Sequence, residues 1–128
     1  MDESNLTGIW QGLYSYPRAL EPVSFVATLI ETASWLSGST HEAHRKTGAT
    51  ILATLLGTRA DDTVDFVKTY EPTSSGYKKG VHYEGTLSAD GTEIEGRWII
   101  PGNWSGRFLM IRGAREAESV ARKKFARV

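Results

Sequence analysis

Short runs of this chain alternate apolar and polar residues with a period of two. In Val81-His82-Tyr83-Glu84-Gly85-Thr86-Leu87 the odd positions are apolar or small and the even ones polar. In Ile94-Glu95-Gly96-Arg97-Trp98-Ile99-Ile100, the residues Ile94, Gly96, Trp98 and Ile100 fall on one face. A helix repeats every 3.6 residues and a strand every two, so these segments are strands with one buried and one wet face. Turn signals separate such runs at roughly the 8–12 residue spacing of a meander. The runs are Leu6 to Tyr16, Val23 to Thr32, Trp35 to Glu42, Thr50 to Thr58, Thr63 to Glu71, Val81 to Ser88, Thr92 to Ile100 and Trp104 to Arg112. Pro17, Pro22, Gly48, Asp61-Asp62, Pro72, Asp90-Gly91 and Pro101-Gly102-Asn103 punctuate them. Asp90-Gly91 is the clearest hairpin turn, since both residues tolerate positive φ.

About eight strands in sequence order predict an all-β fold, an antiparallel up-and-down barrel over about 6–113. Closure removes the exposed edges an open sheet would leave. Glycines inside many runs (Gly8, Gly12, Gly38, Gly57, Gly85, Gly96, Gly106) fit strong bending and close backbone approach. No Gly/Ser linker interrupts the chain, so residues 1–128 read as a single domain. The tail from Ala114 to Val128 lacks turn residues and proline. Its Ala117, Val120, Ala121, Lys124, Phe125 and Val128 recur near helical spacing, which predicts a short C-terminal helix over about 114–127.

Composition narrows the chemistry. With no cysteine there is no disulfide, thiolate metal site or cysteine nucleophile. Fifteen basic and fifteen acidic residues cancel, so no general attraction to nucleic acid is expected. The start, Met1-Asp2-Glu3-Ser4-Asn5, lacks the basic and apolar regions of a signal peptide. No apolar run approaches the roughly 20 residues of a membrane helix, so no membrane partner is expected and a cytoplasmic location is.

Gly8-Ile9-Trp10, after Leu6-Thr7, resembles the calycins, barrels with a Gly-x-Trp on the first strand. In lipocalins a basic residue of the last strand covers that tryptophan at the closed end. Arg112 is the matching residue here, and its guanidinium over an inward Trp10 is worth about 0.5–2 kcal/mol. The resemblance spans about residues 6–113 and implies carriage of a small hydrophobic or amphipathic ligand. Its subfamilies fit less well. Avidins place polar biotin ligands soon after the tryptophan, where this chain has Gly12. Fatty-acid-binding proteins need a helical lid, for which Pro17 to Pro22 is too short. Nitrobindin-like haem barrels share a pattern like Gly8, Trp10, Gly12 and Pro17, but no axial histidine stands in the late position. No cofactor is expected.

An inward Trp10 sets the other faces. Gly12, Tyr14 and Tyr16 then point inward from the first strand; Phe25, Ala27, Leu29 and Glu31 from the second; Leu36, Gly38, Thr40 and Glu42 from the third. Phe66, Lys68 and Tyr70 follow from the fifth, Val81, Tyr83, Gly85 and Leu87 from the sixth, and Ile94, Gly96, Trp98 and Ile100 from the seventh. The last strand adds Phe108, Met110 and Arg112. This makes an aromatic lumen with polar tips. Tyr14, Tyr16, Glu42, Lys68, Tyr70, Tyr83 and Trp98 are the candidate ligand-binding residues. Glu42 and Lys68 have to pair with each other, a ligand or solvent, because an unpaired buried charge is very costly.

Other constellations point elsewhere. His41-Glu42-Ala43-His44 is one residue short of the zincin helix motif, and His82 is expected to face outward, so no metal site is assigned. Asp61, Asp62 and Asp65 lack the glycine and terminal glutamate of a calcium loop. No Gly-x-Ser-x-Gly elbow exists. Asn103-Trp104-Ser105 matches a glycosylation acceptor, which has no meaning in a cytoplasmic protein. Arg115, Arg122, Lys123, Lys124 and Arg127 read as the solvated face of the tail helix or a contact for an acidic partner or a phosphate.

Three functions stay open. One is a small-molecule-binding barrel for an amphipathic or aromatic ligand. A second is an enzyme with Lys68 or Tyr83 as acid–base group and Glu42 tuning it. The third is an interaction protein whose barrel is filled by its own side chains. Its apolar wall of exposed Ile9, Leu13, Ile99, Leu109 and Ile111 would join copies into a homo-oligomer or be covered by the C-terminal helix.

Overall fold

The computed structural model describes residues 5–17, 21–44, 46–71, 80–102 and 104–113. The alternating runs form eight strands: β1 (Gly8–Ser15), β2 (Val23–Thr32), β3 (Trp35–Ala43), β4 (Thr50–Ala60), β5 (Thr63–Tyr70), β6 (Val81–Leu87), β7 (Glu93–Ile100) and β8 (Trp104–Ile111). Each pairs antiparallel with its sequence neighbours, and β8 returns to β1 with Phe108 opposite Tyr14, closing the barrel. The structure is compatible with a calycin-like fold. The expected C-terminal helix lies outside the described residues.

The links after β2 and β4 are tight, and each holds a non-glycine residue at positive φ, Ala33 and Asp61. The Asp90-Gly91 hairpin is wider than a two-residue turn and spans Ser88 to Thr92. The Asp90 carboxylate organises it, accepting from the Ser88 and Thr92 hydroxyls at 2.7 Å each, while Gly91 takes φ 75°. These three links share one end of the barrel; β1, β3, β5 and β7 run out at the other.

The first end is sealed. Trp10 is fully buried, and its indole N–H donates to the Leu6 carbonyl at 2.9 Å. The Arg112 guanidinium lies 4.7 Å from the centre of a Trp10 ring and donates to the carbonyls of Gly91 and Asn5 at 2.9 and 2.7 Å. Beside it Arg59 pairs with Glu31 at 3.0 Å, and Glu31 also accepts the Leu6 backbone N–H. Leu6 therefore leaves the strand and folds beneath Trp10.

The inward residues form one core from Trp10 and Met110 up to Tyr14 and Trp98. β4, whose facing the sequence left unassigned, contributes Ala53 and Leu55. The expected outer wall on β1, β7 and β8 needs correction. Ile9 is exposed, but Leu13 and Ile99 are half-buried, and Leu109 and Ile111 are buried. In the ladder Leu109 is flanked by Leu13 and Glu95, and Ile111 by Gln11 and Glu93.

Candidate functional site

The open end leads into a cavity of about 680 Å³. Its walls come from the strand halves nearest that end: Tyr14 and Tyr16 on or just past β1, Glu42 on β3, Tyr70 on β5, Tyr83 on β6 and Trp98 on β7. These are six of the seven side chains the sequence singled out. Inward alternation brings them together, because closure points every second residue of neighbouring strands at the barrel axis. Sequence reasoning missed Trp104 and His44, which also line the mouth. Trp104 was legible only as the start of a strand; its tilted ring contact with Tyr16, with ring centres 5.0 Å apart, is a tertiary fact.

Lys68 is the exception. It is 1% exposed and does not line the cavity. Its ammonium pairs with Glu42 Oε1 at 3.0 Å and stands within 4.7–5.7 Å of the ring centres of Tyr14, Phe25, Tyr70 and Tyr83. Glu42 is the hub. Its Oε2 accepts from the Tyr14 hydroxyl at 2.6 Å, and its Oε1 also accepts from the Tyr70 hydroxyl at 3.1 Å. The pairing requirement read from the sequence is thus met within the protein, at the floor of the cavity rather than on a solvated rim.

Electrostatics follow from burial. Desolvation pushes the Lys68 ammonium below the usual lysine range, against the pull of Glu42. Burial raises Tyr14, Tyr70 and Tyr83 above the usual phenol range, and the Glu42 charge adds to each. All three phenols therefore stay protonated at neutral pH. Tyr14 and Tyr70 spend their protons on Glu42, which leaves lone pairs as acceptors. Tyr83, stacked on Phe66 with ring centres 5.0 Å apart, makes no hydrogen bond among the described residues and remains a donor for whatever fills the cavity. The Trp98 N–H is taken by the Ser15 carbonyl at 2.8 Å. Thr40, two residues before Glu42, holds the one buried side-chain oxygen without a partner among the described residues.

The histidines do not converge. His41 faces outward on β3, and the His44 ring nitrogen accepts the Lys46 and Thr47 backbone N–H groups. His82 faces outward on β6 against Asp65. Asp65, His82 and Glu84 make a polar cluster on the outer wall, their donor atoms within 4.8 Å of one another.

No protein-family model matches this chain, and no curated protein matches it.

Proposed function

We propose that this protein is a calycin-like carrier that holds one small, neutral, amphipathic or aromatic molecule in the open end of its barrel. The observation that supports this is the asymmetry of the lumen. Trp10 and Arg112 close one end, while the other holds a cavity of about 680 Å³ with aromatic walls, inside the usual range for small-ligand pockets.

The preference for a neutral ligand follows from the floor. Glu42 and Lys68 already neutralise each other, and Lys68 lies behind the wall. Glu21 also lines the cavity but is exposed, so a charged head group on the floor would be buried without a counter-ion, at high cost. A carbonyl or hydroxyl meets the Tyr83 donor and the Tyr14 and Tyr70 acceptors instead. The same geometry weighs against Lys68 as an acid–base group, since a substrate in the cavity does not reach it.

Titration with Nile red, a neutral planar dye, tests the proposal. One dye per chain is expected, with blue-shifted emission and quenching of tryptophan fluorescence through Trp98 and Trp104. Ile100→Trp, which narrows the cavity, is expected to weaken binding at least about tenfold. No binding by the folded wild-type chain, in titration and in native mass spectrometry alike, overturns the carrier reading.

A further inference from the structure

Charge divides the outer wall of the barrel. On β6, β7 and β8 the outward positions carry Glu84, Glu93, Glu95, Arg97 and Arg107. On β2 to β5 they carry threonine, serine, alanine, apolar side chains and His41, and Asp65 at the β5–β6 border is the one formal charge. The other charged residues of these four strands, Glu31, Glu42, Arg59 and Lys68, are turned into the barrel and ion-paired. Charged residues make up 23% of the chain, so a solvated face of this extent should hold several.

Large apolar side chains are set into this uncharged half. Trp35 is 62% exposed, Leu56 63%, Ile30 49%, and Leu52 and Val67 43% each. The ladder aligns Ile30 with Ser37, Ser37 with Leu56 and Leu56 with Val67, a row across four strands in which Ser37 is the one polar member. Large exposed apolar side chains grouped on one wall mark an interaction surface.

We propose that this β2–β5 wall is where a second copy of the chain docks. A two-fold contact sets a patch against itself, so charges near its axis would meet their own kind; a charge-free wall avoids that. Threonine and serine hydroxyls both donate and accept, so they too are self-complementary. Four strands of 8–11 residues span on the order of 570 Å² of the barrel's convex side, an upper bound on what one copy covers, so the contact belongs to the weak, reversible class below about 1,200 Å² in total. The closed barrel leaves no strand edge to share, so copies join through side chains. The contact is lateral and leaves the cavity mouth open.

Sedimentation velocity of the full chain up to about 100 μM is expected to give twice the chain mass. Leu56→Lys is expected to raise the dissociation constant at least about 100-fold without changing the circular dichroism spectrum, since Leu56 is outward. Thr54→Arg, on the same face, is expected to do the same and serves if the first variant misfolds. Thr86→Lys, on the charged half, is expected to leave the dimer intact. A wild-type monomer at the highest concentration overturns the proposal. So does a dimer that survives both β4 variants, or one that Thr86→Lys breaks equally.

Discussion

Glu42 holds three partners in a place where an isolated carboxylate would be very costly, and Lys68 has almost no exposure to water. Each charge is tolerable because of the other. Glu42→Leu strands the ammonium among aromatic rings and is expected to cost about 3–5 kcal/mol, with Lys68→Met costing a similar amount. The double variant removes both charges and should unfold within about 2 kcal/mol of the wild type. Urea unfolding followed by tryptophan fluorescence measures the cycle. Additive losses would show that the two charges do not compensate each other. Pairing was legible in the sequence as a requirement on Glu42 and Lys68. Its location was not, because the strands holding them, β3 and β5, do not pair but flank β4, and their inward side chains meet only inside the closed lumen.

Among the elements, the strands need close approach and the turns need unusual backbone. A Cβ on Gly96 would lie 1.9 Å from the Glu84 carbonyl oxygen and 2.7 Å from the Gly85 Cα. Backbone cannot yield as a flexible side chain can, so Gly96→Ala is expected to cost about 3 kcal/mol or more. The exposed turn after β2 has the opposite fault, with Ala33 at φ 57°. Ala33→Gly relieves that strain and should add about 0.5–1 kcal/mol. Thermal unfolding of the two variants checks both signs. Strand positions were readable because alternation is local, and β2 begins and ends where the sequence placed it. β4 runs two residues further, to Ala60, because Arg59 and Ala60 pair with Val64 and Thr63 across the turn, which no local pattern announces.

For the whole molecule, the buried phenols set an alkaline limit. In the folded chain Tyr14, Tyr70 and Tyr83 ionise above the usual phenol range, while in the unfolded chain they ionise near pH 10. Above that pH the folded state binds more protons than the unfolded one, so stability falls as pH rises, by about 1.4 kcal/mol per tyrosine per pH unit. Lys68 acts in the other sense. Its folded value is lowered, so stability rises with pH until the unfolded lysine value near 10.4 is passed, and then no longer changes. The net expectation is a stability maximum below about pH 10 and a steep loss above it. Absorbance at the phenolate band should show these three tyrosines titrating only as the chain unfolds; early, reversible ionisation of all five tyrosines in the folded protein would contradict their burial.

Alternation by itself determined which residues of most strands face inward, and hence that Trp10, Tyr14, Tyr83 and Trp98 share an interior with Glu42 and Lys68. It could do so because the pleat has a period of two whatever the strand pairs with. Only the tertiary structure decided which inward residues line an open cavity and which lie behind it, as Lys68 does. It alone decided that Leu109 and Ile111 are shielded while Leu56 and Val67 are not. The physical reason is the same in each case: exposure and contact depend on strands brought together by closure, and closure is a property of the whole chain.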